Sequence, residues 1–393
     1  MRKWLSIVGI GDDGLDGISS VGRSLIDHAE ILFGGDRHLA LLPTDARLKI
    51  RWTSPIGQSI QNLLTYQGQA VCVLASGDPM CYGIGSTLAR QIDFAEMTIV
   101  PAPSAFSLAC ARLGWALQEV EMLSLCGRDP HLLNAVLYPG AKILVLSADR
   151  QTPLIVANLL KQRGLEKSEI IVLEHLGGSQ ERIVSGNFEN LADLNTIAIT
   201  CPASSLPARI PGLPDSAYTH DGQLTKREIR AVTLSTLAPH PGQLLWDVGA
   251  GCGSIAIEWM RSDRRCRAIA IESNPDRLKL IAQNASTLGV PNLRIVAGKA
   301  PIALQDLPMP DTIFIGGGLT APDVIETCWQ SLRSGGRLVA NAVTVETEAK
   351  LFQWQSQVGG ELTRIAVQRA EAIGKFLGWK AMSPITQWSV TKP

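Results

Sequence analysis

At 393 residues, 46% apolar and 18% charged, the chain is long enough for two domains and too apolar to be disordered. Its 36 Lys and Arg balance its 36 Asp and Glu, which counts against a protein that grips many phosphates, and no apolar run approaches the roughly 20 residues that span a bilayer. Neither nucleic acid nor membrane is therefore expected as a partner. The eight cysteines (72, 81, 110, 126, 201, 252, 266, 328) include no C-x-x-C pair, so neither a metal site nor a disulfide framework is expected, and a reduced, cytoplasmic protein is.

In chain order, Met1–Ile10 reads as a first strand and not as a signal peptide, because Gly11-Asp12-Asp13 interrupts the apolar stretch at once. Strands are predicted over Leu5–Ile10, Ala70–Leu74, Thr98–Val100, Ile143–Leu146, Ile170–Leu173 and Ile197–Thr200. Helices are predicted over Ile56–Leu64, Ser104–Leu113 and Pro153–Arg163. This alternation indicates α/β units. Cys201–Pro214 then carries four prolines, which neither a helix nor a central strand accommodates. The expected organisation is a first domain over 1–202, a Pro-rich linker over 203–218 and a second domain over 219–393. In the second domain, strands are predicted at Leu244–Val248, Ala268–Ile271, Leu293–Val296, Thr312–Ile315 and Arg337–Ala340, and helices at Ser254–Arg261, Pro275–Leu288 and Pro322–Leu332. The two halves share a class but no motif, so they do not read as a duplication.

The strongest local signal is Leu244-Leu-Trp-Asp-Val-Gly-Ala-Gly-Cys-Gly-Ser-Ile-Ala-Ile-Glu258. A buried strand reaches Asp247 and runs into Gly249, Ala250, Gly251, Cys252 and Gly253 before a helix begins. Glycines there allow a sharp turn and close approach of a ligand, and the helix start offers free N–H groups to an anion such as a carboxylate. Glu272, nineteen residues after Gly253, ends the next strand, where an acid can accept both hydroxyls of a ribose. The G-x-G-x-G spacing, with an acid two residues before it, departs from the G-x-G-x-x-G of NAD sites. It resembles motif I of the Rossmann-like S-adenosylmethionine methyltransferases.

Gln223-Leu-Thr-Lys-Arg-Glu-Ile-Arg230, Ala300-Pro301 and Phe314-Ile-Gly-Gly-Gly318 narrow the resemblance to the decarboxylating precorrin-6Y methylases of cobalamin biosynthesis, over nearly all of 219–393. The resemblance implies cofactor contacts at Thr225, Gly249–Gly253, Glu272 and Ala300. The triplet departs slightly, since relatives often carry Ser within it and Gly where Leu319 stands.

In the first half, small-residue turns follow apolar strands at Ile7–Gly11, Ile31–Asp36, Ala75–Gly83 and Val100–Phe106. One such turn is ordinary connectivity; four favour a cleft at the carboxyl edge of a sheet. Together they resemble the tetrapyrrole methylase family over about residues 3–200, whose two-subdomain α/β fold is distinct from the Rossmann type. The resemblance implies S-adenosylmethionine contacts at Ser76, Gly77, Asp78, Cys81, Ser104 and Ala105. Two departures stand out: Leu125-Cys-Gly-Arg128 has Cys126 where relatives commonly have histidine, and Gly11-Asp12-Asp13 lacks the usual proline.

The order of the halves resembles the bifunctional precorrin-6Y methyltransferase family. That resemblance implies methylation at carbons 5 and 15 of a small-molecule tetrapyrrole, decarboxylation of the ring C acetate, two S-adenosylmethionine sites, one per domain, and a homo-oligomer. A methyl sulfonium needs mainly an aligned acceptor carbon, so no nucleophile–base triad is required. Asn341 and Glu346, placed just after the last predicted strand, are the candidates for moving a proton. Glu346 reads equally as an acid at a helix N-terminus. Lys226, Arg227, Arg230, Arg369 and Lys375 are candidates for the substrate carboxylates or are solvated charges. The six histidines show no ligand spacing and are assigned surface or capping roles. Rival readings are a methyltransferase for another tetrapyrrole, for RNA or for protein, and a non-catalytic scaffold.

Overall fold

A computed structural model describes residues 3–186, 188–203 and 211–393. The chain divides into two compact units, Met1–Pro130 with Gly140–Ala203, and His131–Pro139 with Ser204–Pro393. Residues 204–210 of the linker expected at 203–218 lie outside the described residues. Leu213 and Tyr218, within the same expected linker, are buried in the core of the second unit.

The first unit holds two sheets. Strands β1 (Leu5–Ile10), β2 (Ile31–Gly34), β3 (Leu48–Arg51), β4 (Val71–Ser76) and β5 (Met97–Val100) form a parallel sheet in the order β3-β2-β4-β1-β5. β1 and β4 are almost wholly buried apolar runs, as strands covered on both faces must be. Their register sets Ile10 beside Ser76, so both turns emerge at one edge. Strands β6 (Glu121–Ser124), β7 (Lys142–Leu146), β8 (Glu169–Glu174), β9 (Arg182–Ser185) and β10 (Asn195–Thr200) form a mixed sheet in the order β6-β7-β10-β8-β9. The sequence reading marks neither β3, β6 nor β9; each has four residues, too few for a clear period.

In the second unit, β11 (Leu244–Val248), β12 (Arg267–Glu272), β13 (Arg294–Ala297), β14 (Thr312–Ile315) and β15 (Arg337–Ala342) are parallel. Beyond the helix Val345–Val358 come β16 (Glu361–Ile365), β17 (Gln368–Ile373), β18 (Phe376–Ala381) and β19 (Ile385–Thr391). The sheet order is β13-β12-β11-β14-β15-β19-β16, with β19 antiparallel to both neighbours, and β17 and β18 make a separate hairpin. β11 is the switch point, since the chain winds outward from it on both sides, and in such sheets ligands bind beyond the carboxyl ends there. Asn341, expected after its strand, lies within it: pairing of Asn341 with Gln387 and Ala342 with Thr386 extends β15 by two residues.

Arg230 belongs to the core of this unit and not to a substrate surface. It is fully buried, and its Nε donates to Glu258 Oε1 at 2.6 Å. Glu258, also buried, accepts the Gly212 N–H (2.6 Å), the Leu213 N–H (3.1 Å) and the Tyr218 hydroxyl (2.8 Å). The remaining Arg230 nitrogens donate to the carbonyls of Thr225 and Leu213 and to Asp215. Every charge is thus met by hydrogen bonds, the condition on which a buried pair is tolerated. Arg369 is likewise held, by Asp215 at 3.0 Å and Glu228 at 2.6 Å.

This cluster fixes the segment that carries Thr225. Glu258→Ala leaves a buried guanidinium without its main partner and is expected to lower stability by about 3 kcal/mol or more; denaturant midpoints of the two full-length proteins measure it.

Candidate functional site

In the second unit a cavity of about 660 Å³ opens at the carboxyl ends of β11, β12 and β14. Its wall includes Thr225, Gly249, Ala250, Gly251, Cys252, Glu272 and Ala300, as expected from the sequence. Gly253 is absent from the wall; it stands at φ +83° as the N-cap of the helix Ser254–Ser262, and a Cβ there would meet Ile281 at 3.0 Å. Burial pushes the Cys252 thiol up to about 11, so this residue offers backbone and not a thiolate.

Two carboxylates organise the loop. Asp247 Oδ2 accepts the Ala256 N–H at 3.0 Å, capping the helix from the preceding strand, while Oδ1 is buried with no partner among the described residues. Burial, reinforced by nearby Glu272 and opposed by the Ala256 N–H, pushes Asp247 up to about 7. Glu272 Oε2 accepts the Gly251 N–H at 2.8 Å, and Oε1 accepts those of Ser273 and Asn274 at 2.8 and 2.9 Å. Three of its roughly four acceptor positions are filled. Taking two ribose hydroxyls therefore requires one of these three bonds to open.

Asn341 also lines the cavity. Its Nδ2 donates to Thr233 Oγ1 at 3.0 Å and its Oδ1 accepts from Gln387 Nε2 at 2.9 Å, which locks its rotamer. Glu346 does not line the cavity. It is exposed on the first turn of the helix Val345–Val358, and hydrogen bonding to that helix start, its own N–H first and the Thr344 side chain second, holds its carboxyl below the usual range. Among the basic candidates Lys226 reaches the wall, joined by Lys299 and Arg277, which the sequence reading did not name. Arg227 and Lys375 are exposed.

In the first unit a cavity of about 390 Å³ lies at the ends of both sheets. Ser76, Gly77, Asp78, Cys81, Ser104 and Ala105 all line it. Gly77, at φ +54°, donates its N–H to the Ile10 carbonyl at 3.0 Å. Ser104 caps the helix Ala105–Leu113 by accepting the Ser107 N–H at 3.1 Å. Asp78 accepts the Met80 N–H at 2.8 Å and shapes the turn, and burial first, then Asp78, raises the Cys81 thiol.

Two histidines correct the sequence reading, which gave them surface or capping roles. His38 and His175 both line this cavity. His38 Nε2 lies 2.9 Å from Ser76 Oγ and 3.1 Å from Arg37 Nη2, and burial, then the Arg37 charge, pushes it down to about 4. His175 Nδ1 lies 2.9 Å from Asp12 Oδ2, and Asp12 Oδ1 accepts from Arg37 at 2.8 Å. No sequence spacing announces residues 12, 37, 38 and 175 as neighbours. Their one signal was the unusual Gly11-Asp12-Asp13 loop.

Comparison with known proteins divides the chain at the same place. Residues 5–192 match the family model for tetrapyrrole (corrin/porphyrin) methylases, and residues 216–392 match the one for a precorrin methyltransferase domain. A precorrin-6Y C(5,15)-methyltransferase [decarboxylating] from Sinorhizobium sp is 46% identical, over 100% of this chain and 97% of its own length. The chain belongs to this family. A probable cobalt-precorrin-6B C(15)-methyltransferase (decarboxylating) from Pyrobaculum calidifontis is 33% identical, over 46% of this chain and 95% of its own length. The crystal structure of the C-terminal domain of precorrin-6Y C5,15-methyltransferase from Rhodobacter capsulatus is 46% identical, covering 47% of this chain and 100% of that one, with a TM-score of 0.45. Methyltransferases of this family use S-adenosylmethionine on a precorrin, a tetrapyrrole.

The raised Asp247 carries a sign. The native state keeps the proton up to about pH 7, whereas the unfolded chain releases it near pH ~4. Between those values the unfolded state binds fewer protons, so this group's contribution to stability falls as pH rises. Wild type is expected to lose stability relative to Asp247→Asn between about pH 4 and pH 7; a pH-independent difference in denaturation midpoint would contradict the assignment.

Proposed function

We propose that the chain methylates precorrin-6Y at carbons 5 and 15 and removes the ring C acetate carboxyl as carbon dioxide, giving a precorrin-8 product, with a separate S-adenosylmethionine site in each unit. The observation that carries this reading is the pair of cavities, each at the carboxyl edge of a sheet and each lined by the residues its own family resemblance implies. The first unit would methylate carbon 5. The second would methylate carbon 15 and decarboxylate, in keeping with the Pyrobaculum relative, whose name joins those two steps in a protein matching under half of this chain. We take the domains as 1–202 and 219–393, with Leu213 and Tyr218 of the intervening segment packed into the core of the second.

S-adenosylmethionine supplies a methyl group already activated on a sulfonium. The residues present fit it. In the second unit Asp247 Oδ1 is buried and unpartnered among the described residues, and a cationic α-ammonium beside it would favour the ionised carboxylate and give it a partner. The Gly249–Cys252 backbone lies against the same cavity. Glu272 offers its remaining acceptor position to the ribose, and Thr225 and Ala300 close the sides. In the first unit Gly77, Asp78 and Ser104 form a side-chain-poor cradle of the same kind, with the orphaned His38 Nδ1 behind it.

The task left to the chain is orientation. Lys226 and Lys299 border the second cavity and are placed to hold substrate carboxylates, while Arg277 on the same wall is already paired to Asp221 at 2.8 Å. Asn341, locked by Thr233 and Gln387, keeps one amide hydrogen for the same use. Carbon dioxide loss leaves an electron pair that the conjugated imines of the tetrapyrrole accept, so it needs no protein electron sink. Glu346 serves as the acid of a helix start and Asn341 is the candidate that touches substrate.

The protein is further read as a cytoplasmic homo-oligomer acting on a small molecule, with neither nucleic acid nor membrane as partner. No helix among the described residues is long and apolar enough to cross a membrane. The β17–β18 hairpin exposes Ile373, Phe376, Leu377 and Trp379, each at least 66% accessible, and so much exposed apolar surface on one short hairpin fits an interface between copies. Phe376→Glu with Trp379→Glu is expected to shift sedimentation toward the monomer.

The central test combines calorimetry and mass spectrometry. Wild type should bind two S-adenosylmethionine molecules per chain and convert precorrin-6Y with a gain of two methyls and loss of one carbon dioxide. Gly251→Arg, which fills the second cavity, should bind one and release no carbon dioxide. A single binding site in wild type, or undiminished decarboxylation by the variant, refutes the reading.

A further inference from the structure

We infer that His175 is the base that removes the proton released when the first unit methylates its substrate, with Asp12 as its positioning residue. The inference rests on the reading of that cavity as a methyl-transfer site.

The geometry is that of an oriented imidazole. Asp12 accepts only, so a 2.9 Å contact to its carboxylate places the proton on His175 Nδ1. Nε2 then carries a lone pair, and it has no hydrogen-bond partner among the described residues, while the residue lines the cavity. Asp12 is itself fixed from the other side by Arg37, at 2.8 Å, and Arg37 reaches Ser76 Oγ at 3.2 Å. One chain of contacts therefore runs from the expected cofactor loop to the imidazole.

The backbone is shaped for this arrangement. His175 follows β8 at φ +50°, in the left-handed region that few side chains adopt. The turn closes through the Gly178 N–H to the His175 carbonyl at 2.9 Å. A Cβ on Gly178 would lie 2.4 Å from Asp12 Oδ2, so glycine there makes room for the carboxylate. A non-glycine residue held at positive φ beside a cavity, with a carboxylate behind it, is a costly way to present a merely surface histidine.

The chemistry balances. A carbon–carbon bond forms between the methyl and the acceptor carbon as the methyl–sulfur bond breaks, and the sulfur leaves as a neutral thioether with the bonding pair. The tetrapyrrole gains the positive charge and discharges it by losing a proton. His175 Nε2 takes that proton, and Asp12 stabilises the imidazolium. No oxidant or further reactant is needed.

Asn and Gly both tolerate the left-handed backbone at 175, so His175→Asn and His175→Gly are suitable full-length variants. With precorrin-6Y and S-adenosylmethionine, each should slow the first unit's methylation, at carbon 5, by about 10²–10⁴-fold. Calorimetric S-adenosylmethionine affinity should stay within about threefold. Imidazole added to His175→Gly should restore part of the slowed step, which a purely structural role does not predict. Nitrogen-15 spectra of the wild-type histidine rings should show His175 protonated at Nδ1 and bare at Nε2. Full-rate double methylation by His175→Asn, no rescue by imidazole, or an Nε2-protonated His175 in wild type overturns the inference. Failure of the underlying reading appears separately, as a wild-type product carrying a single new methyl, and overturns both.

Discussion

Both cavities depend on backbone meeting backbone with no side chain between. At the switch point of the second unit, a Cβ on Gly249 would stand 2.8 Å from the Gly317 backbone. In the first unit, a Cβ on Gly9 would stand 2.0 Å from the Gly77 carbonyl and 2.5 Å from the Ala102 nitrogen. These contacts let successive loops close over one sheet edge, leaving exposed amides instead of packed side chains. A small anionic or polar ligand is what such an edge suits.

Around these edges the acidic residues act mainly on the protein itself. Glu258 holds the amides of residues 212 and 213, Glu272 those of residues 251, 273 and 274, and Asp247 that of residue 256. Each carboxylate replaces water as the partner of a backbone group that the loop leaves unpaired. Spare acceptor capacity then marks function: Asp247 has one bare oxygen, and Glu272 has one position left. The same distinction separates Asn341, locked but facing the cavity, from Glu346, exposed and spent on its helix.

The motif-bearing parts were legible in the sequence because each is local. Gly249–Gly253 and Glu272 sit at spacings set by one strand, one turn and one helix. Ser76–Asp78 and Ser104–Ala105 follow apolar strands in the same way, and all of these positions except Gly253 do line a cavity. Element boundaries agree within a few residues where apolar runs are long, as at Leu244–Val248 and Ile56–Leu64. The four-residue strands β3, β6 and β9 and everything beyond Ala340 left no clear period, since β16 to β18 are mostly exposed and lack a buried face to impose one.

Sequence alone thus determined the α/β class, the two-part organisation and the loops able to cradle a cofactor, because strand–turn–helix chemistry is written within some thirty residues. Only the tertiary structure decided which charges are spent and which are free. Arg230 became a core residue, Arg369 a partner of two acids, and His175, 163 positions from Asp12, its neighbour. The last pairing depends on how β1 and β8 bring their ends together, and spacing along the chain carries no record of any of these distances.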